Sequence, residues 1–301
     1  MRVTVSGATG LIGSRLVARL LERGDEVTAL SRDPDRARAA LGEVTALAWV
    51  PSAGPAPAEA LSGRDGVVHL AGEPVAQRWS EPAKERIRAS RELGTRNLVA
   101  GLRAAEPRPG VLVSASGIDY YGARGDERID ETAPAGGDFL AEVVRAWEHE
   151  ARGADDLGLR TAQLRTAVVL AGSGGALAKM LPPFRAGIGG PVAGGRQYMP
   201  WIHLDDLVGM YVSALADPAW SGPINAGAPE PVTNREFSKA LGRVLHRPAV
   251  APVPGFALKL LYGEMAVIVT TGRRAVPARA LELGYRFEHP ELDEALAAAL
   301  G

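Results

Sequence analysis

The chain has 301 residues, 46% of them hydrophobic and 23% charged, which excludes disorder, collagen-like repeats and disulfide scaffolds and allows one large domain or two smaller ones. Lys and Arg number 34 against 35 Asp and Glu, a formal net charge of -1, so no basic field invites nucleic acid or an anionic membrane surface, and a small-molecule partner is expected. There is no cysteine, which removes thiol nucleophiles, iron–sulfur clusters and thiolate zinc sites. The opening MRVTVSGATGLIGSRL carries no basic segment followed by a long apolar run, and no stretch reaches about 18 uninterrupted apolar residues. A cytoplasmic protein that does not enter a membrane is the expectation.

In chain order, residues 2–6 (RVTVS) read as a buried strand, followed by glycine punctuation. Residues 12–22 follow as a helix with Ile12, Leu16, Val17, Leu20 and Leu21 at helical spacing. Gly24 closes that helix and residues 26–30 (EVTAL) supply a second strand, completing a βαβ unit. Strands are expected at 65–70, 110–114 and 160–169, and helices at 84–103 and 139–152. Central strands apolar on both faces imply a parallel sheet covered on both sides, that is, a Rossmann-type doubly wound α/β domain over residues 1–170. Past Leu170 the segments AGSGGA and PPFRAGIGGPVAGGRQ are Gly- and Pro-rich and read as long loops. Residues 234–244 read as a helix with Thr233 as N-cap and Glu236 completing a capping box. Residues 256–300 read as helical with an interruption near Pro277, so residues 171–301 are expected to form a smaller substrate-side lobe interleaved with the first domain.

The strongest chemical signal is Gly7-Ala8-Thr9-Gly10-Leu11-Ile12-Gly13, between the first strand and the first helix. Gly7 permits the tight turn, Gly10 lets a pyrophosphate approach the backbone, and Gly13 allows close helix–strand contact. The helix N-terminus offers unpaired N–H groups to phosphates. Gly7, Thr9, Gly10, Leu11, Ile12 and Gly13 are therefore candidate cofactor contacts. At the end of the second strand an acid would bind the ribose 2′-OH of NAD, but Leu30, Ser31 and Arg32 stand there, with acid arriving at Asp33. Arg32 and Ser31 suit a 2′-phosphate, so NADP(H) is expected over NAD(H).

SGATGLIG, HLAG at 69–72, SASGIDYYG at 114–122 and WIHLDDLV at 201–208 together resemble an extended short-chain dehydrogenase/reductase. Segments 72–91, 139–148, 174–203 and the terminal YRFEHPELDEAL narrow the resemblance to its atypical epimerase-like subfamily, whose members carry labels such as nucleoside-diphosphate-sugar epimerase and cell division inhibitor. The resemblance covers essentially the whole chain. It implies cofactor contacts from Leu70, Ala71, Gly72, Ser114 and Thr166.

It also implies a catalytic Ser after the fourth strand and a Tyr-x-x-x-Lys on the next helix. Ser116 falls on the Ser position, whereas Phe139 and Val143 fall on Tyr and Lys and provide neither hydroxyl nor amine. Tyr121, beside Ser116, is the other candidate catalytic residue, although the resemblance gives its ring a packing role. Asp119 reads as a solvent-facing turn residue. Glu142, next to the missing Lys position, points roughly 100° away from it.

Glu73 is a candidate substrate contact or a partner for the run Arg78, Lys84, Arg86, Arg88 and Arg91. Within that run, Lys84 and Arg91 share a helix face. Arg196 and Gln197 are substrate candidates in the Gly-rich loop, with loop solvation the alternative for Arg196; Trp201 either stacks on a ligand or closes the lobe interface. His203, Asp205 and Asp206 read as a structural element in which Asp205 caps a helix, and the five histidines are scattered along the chain, so no metal site is expected. Two functions remain. One is an NADP(H)-dependent oxidoreductase or epimerase acting on a small carbonyl or sugar-like substrate. The other is a non-catalytic NADP(H)-binding sensor or regulator. Either a monomer or a homodimer is compatible.

Overall fold

Each strand of the central sheet is reached from the one before by a crossover, so all of them run parallel. A computed structural model describes all 301 residues. Its first elements are β1 (Arg2–Ser6), α1 (Leu11–Glu22), β2 (Glu26–Ser31), α2 (Pro34–Leu41), β3 (Thr45–Ala48), β4 (Gly66–His69), α3 (Glu81–Ala104) and β5 (Val111–Gly117). There follow β6 (Arg128–Ile129), α4 (Phe139–Arg152), β7 (Arg160–Thr166), β8 (Val168–Leu170), α5 (Gly175–Arg185), β9 (Tyr198–Met199), β10 (Trp201–His203), α6 (Leu204–Ala216), β11 (Gly222–Ala226), β12 (Val232–Thr233) and α7 (Asn234–Val244). The chain closes with α8 (Gly255–Tyr262), α9 (Val267–Thr270), β13 (Arg274–Ala275), α10 (Ala278–Glu282) and α11 (Leu292–Leu300).

The sheet order is β11-β7-β5-β4-β1-β2-β3, the Rossmann-type doubly wound arrangement. From β1 the chain winds outward to β3, then returns to β4 on the other side of β1 and winds outward again. The crevice at this reversal, beyond the carboxyl ends of β1 and β4, is where such sheets bind ligands. Val5 lies in register with Ala29 and Val68. On one face Leu16 and Leu20 of α1 and Leu207 and Tyr211 of α6 pack on Val3, Val5 and Val68. On the other, Leu98 and Leu102 of α3 meet Val67 and Leu112. A third cluster, with Leu177, Phe184, Trp201, Phe237 and Leu296 among its members, holds the C-terminal elements together.

Several expectations need correction. The strand expected over 160–169 is broken: the Ala167 amide bonds the Ala226 carbonyl, β7 stops at Thr166, and β8 pairs with β10 outside the main sheet. The stretch expected as loop contains α5, despite Pro182 and Pro183 inside it. Burying Leu177, Leu181 and Phe184 on one face outweighs the two amide hydrogen bonds that the prolines remove. Helix α2, with its N-cap Asp33 accepting from the Arg36 amide, and β3 carried no clear periodic signal. The terminal segment is a series of short pieces, in which β13 pairs with β6 rather than continuing a helix. Residues beyond 171 return to the Rossmann layer as α6 and β11. The capping box at Thr233 and Glu236 is present in both directions.

Candidate functional site

The glycine loop lies at the crevice. Gly7 has φ +69°, and a Cβ there would sit 2.7 Å from the Leu70 carbonyl carbon, while a Cβ on Gly13 would sit 2.2 Å from the Gly7 carbonyl oxygen. Backbone contact alone therefore demands glycine at both positions. Gly10 is different, since a Cβ there meets only the Gly7 oxygen at 3.3 Å. It N-caps α1 without a side-chain hydrogen bond, so nothing from the loop occupies the first-turn amides of that helix. The Leu11 side chain points away to Gly174 and Gly175, and Ile12 packs on the core.

A cleft of about 450 Å³ opens over this loop, walled by Gly7, Thr9, Gly10, Ser31, Arg32, Leu70, Ala71, Gly72 and Glu73. Arg32 is exposed, while the Ser31 hydroxyl donates to the Asp33 carbonyl and accepts from its amide. The Asp33 carboxylate is turned into the cap of α2. Sequence reasoning named Arg86 of α3 as a possible partner of Glu73 but missed the rest of the far wall, Trp49 to Ser52 after β3 and Ala89 and Ser90 of α3; the Ala/Pro-rich composition after Pro51 hid it. Glu73 belongs to this cleft. It accepts from Gln77 at 3.0 Å and lies 3.6 Å from Arg86. The arrangement can seat an elongated anion along a helix N-terminus with a cation at its far end.

Ser116 and Tyr121 lie instead in a buried polar network. The Ser116 hydroxyl donates to Glu148 of α4 at 2.6 Å. Glu148 receives two further bonds from Arg165 of β7, at 2.8 and 2.9 Å, with both side chains 3% exposed. Arg165 also donates to the Tyr121 hydroxyl at 2.9 Å, which in turn donates to Asn225 of β11 at 2.7 Å. The Arg165 guanidinium stacks 3.5 Å from the Tyr120 ring centre. Burial pushes the Tyr121 phenol up to about 12 in spite of the Arg165 charge. Tyr121 is wholly buried, so its hydroxyl ties strands together rather than facing a cleft. The network continues to Glu131, which accepts from the Asn225 and Arg279 amides; burial raises its pKa against these bonds.

A second cavity, of about 570 Å³, lies between the start of α4 and the C-terminal elements, with Trp79, Phe139 and Leu140 on one side and Phe256, Val267 and Ile268 on the other. Phe139, at the position where the resemblance implied a tyrosine, is thus on its wall, packed edge-on to Trp79 at 5.1 Å. Asp119 is no solvent-facing turn residue: it pairs with the buried Arg273 at 2.5 Å, and Arg273 also donates to the Gly122 carbonyl. The loop from Leu70 to Trp79 borders both cavities. Arg91 stands behind it, donating to the Glu73 and Ile87 carbonyls and stacking on Trp147 at 5.0 Å. Burial draws its pKa down to about 10, against the pull of Asp119 and Glu73. Lys84, on the same helix face, is held at the rim by Glu264.

The other candidates are spread out. Trp201 is buried in the third cluster with its indole N–H on the Glu230 carbonyl, so it presents no face to either cavity. The Gln197 amide is engaged by the Val192 and Val269 carbonyls. Arg196 is exposed and lines neither cavity. Ser114 is buried and bonds the Ala115 carbonyl, and Thr166, partly exposed at the end of β7, bonds the Leu164 carbonyl. The histidines are less scattered than the sequence implied. The His203 and His289 rings meet at a tilt with centres 4.0 Å apart, and their ligand atoms and that of Asp205 all lie within 4.8 Å of one another. However, Asp205 is paired to Arg15 at 2.6 Å, and His203, not Asp205, caps α6 by accepting the Asp205 amide. Asp206 instead caps the C-terminal segment, accepting from the Glu288 and His289 amides. No helix is long and apolar enough to cross a membrane.

Residues 3–227 match the model of the NAD dependent epimerase/dehydratase family, and residues 253–299 match a domain of unknown function, DUF1731. The chain is 42% identical over 302 residues to the epimerase family protein SDR39U1 homolog, chloroplastic, of Arabidopsis thaliana, covering 100% of this chain and 87% of that one. Its fold superposes with a TM-score of 0.90 and 35% identity on the crystal structure of human epimerase family protein SDR39U1 (isoform2) with NADPH, over 100% of this chain and 99% of that one. A nucleoside-diphosphate sugar epimerase from Corynebacterium glutamicum, 34% identical, gives a TM-score of 0.79 over 100% of this chain and 58% of that one.

Proposed function

The chain belongs to the NAD dependent epimerase/dehydratase family, and from that premise we propose that it is an NADP(H)-dependent oxidoreductase acting on a small carbonyl compound. The observation that carries this reading is the end of β2, where Ser31 and Arg32 line the cleft while the nearest acid, Asp33, is committed to the cap of α2. A 2′-phosphate fits that pair, and a 2′-hydroxyl finds no carboxylate there. The NADPH in the crystal structure of the human relative supports the same choice. Gly10, Thr9 and the first-turn amides of α1 would hold the pyrophosphate, Leu70 to Gly72 would flank the ribose, and Thr166 would lie near the nicotinamide. The bound cofactor supplies hydride chemistry. This chain's own contribution is to orient the substrate in the second cavity, with Asp119 and Arg273 facing its polar group and the C-terminal elements excluding water.

A second reading, an NADP(H)-binding protein without turnover, is favoured by the apolar Phe139 and Val143 and by the engagement of the Ser116 and Tyr121 hydroxyls in the buried network. A panel of aldehydes and ketones, followed by loss of NADPH absorbance, separates the two. Turnover on any member supports the oxidoreductase, and tight NADPH binding with no turnover across the panel favours the sensor.

A further inference from the structure

We infer that the second cavity receives the hydrocarbon body of an amphiphilic small molecule with one polar end, and not a nucleoside diphosphate sugar. This deepens the reading above and rests on it for the role of the adjoining cofactor cleft. The cavity wall is aromatic and aliphatic on both sides, with Phe139 and Trp79 facing Phe256 and Ile268. Its volume, about 570 Å³, lies within the range of small-ligand sites.

The charges on the wall decide against a pyrophosphate, which needs several cations or N–H donors converging on it. Three carboxylates, Asp119, Asp138 and Glu264, line the cavity against two cations, Lys259 and Arg273. Arg273 is already neutralised by Asp119, and Lys84, outside the wall, pairs with Glu264 at 2.5 Å. No surplus of positive charge remains for a diphosphate. The exposed Arg196, which could have bound one, does not line the cavity.

What the site does offer is one place where Asp119 and Arg273 set an acceptor beside a donor. At the mouth, beside the exposed Lys259 and Glu264, apolar side chains are left in water. Phe256 lines the cavity yet is 78% exposed, and Leu260 and Leu261, on the same short helix, are 76% and 65% exposed. Apolar side chains left in water next to an apolar cavity mark a route for an apolar ligand.

The test is a calorimetric titration of NADPH-loaded protein with 1-hexanol, 1-octanol and 1-decanol, and separately with UDP-glucose. Burial of the chain predicts that Kd falls about threefold to fourfold per added methylene, with no detectable binding of UDP-glucose. Val267→Asp, at the partly exposed edge of the cavity, is expected to weaken 1-octanol at least tenfold, and Ile188→Ser, exposed and outside both cavities, to leave it unchanged. A Kd independent of chain length, UDP-glucose binding tighter than 1-octanol, or an unaffected Val267→Asp variant overturns the inference. Failure of NADPH to bind in the loading step refutes the cofactor reading instead, whereas normal NADPH binding with a flat alkanol series refutes this inference alone.

Discussion

Replacing Arg165 with Met tests whether Ser116 and Tyr121 belong to the architecture. Arg165 makes two hydrogen bonds to Glu148 and one to Tyr121, and stacks on Tyr120. Its removal strands the Glu148 carboxylate at 3% exposure with Ser116 as its remaining partner. Breaking a buried pair on one side costs about 3–5 kcal/mol, because an uncompensated charge is left in a poorly polarisable interior. At ~2–4 °C per kcal/mol for chains approaching this size, the melting temperature should fall by on the order of 10 °C. Replacing both partners, Arg165→Met with Glu148→Leu, should recover most of the loss. What stays lost is about 1 kcal/mol for the Ser116 hydroxyl, deprived of its acceptor, while the Tyr121 hydroxyl keeps Asn225. Urea denaturation followed by circular dichroism gives the free energies. A single variant within about 1 kcal/mol of wild type, or a double variant less stable than the single, would refute the assignment of this network to stability.

Three further outcomes follow from the same geometry. Gly10→Trp should abolish NADPH binding while the protein stays folded, since a Cβ there meets only the Gly7 oxygen; retained binding would dismiss the loop as the pyrophosphate site. Burial holds the His69 and His203 imidazoles down at about 4, from an ordinary 6.5, aided by Arg91 and His289 respectively. Below pH 6.5 the unfolded chain therefore binds protons that the folded one refuses, so stability present above pH 6.5 is lost as pH falls towards 4, by roughly 3 kcal/mol per histidine. Urea midpoints at pH 7 and pH 4.5 measure this, and equal midpoints would contradict it. Asp206→Ala leaves the Glu288 and His289 amides without their acceptor. It should cost about 1–3 kcal/mol and speed tryptic cleavage at Arg286, which an unchanged digestion rate would rule out.

The βαβ opening was legible because one apolar period per element and three glycines at fixed spacing leave few alternatives, and backbone contacts now account for Gly7 and Gly13. Helix α4 was legible to the residue, as was the box at Thr233 and Glu236, because these signals are local. Helix α5 was hidden by Pro182 and Pro183, whose local cost is overridden by tertiary burial of Leu177 and Phe184. Strand alternation could put Ser116 on one face of β5, but not reveal that Glu148, from a helix 32 positions on, would meet it there. The second cavity joins Trp79 and Phe139 to residues 255–273, and no local pattern encodes that meeting. The pairing of Asp119 with Arg273 and of His203 with His289 was out of reach for the same reason.

The most direct test of the central claim is a calorimetric titration of the apo protein with NADPH and NADH, repeated on Arg32→Ala. The account predicts tight binding with NADPH preferred by about tenfold or more, the scale of one charge-assisted phosphate contact, and loss of most of that preference in the variant. Equal affinity for the two cofactors in wild type, or an equal loss for both in Arg32→Ala, would contradict it.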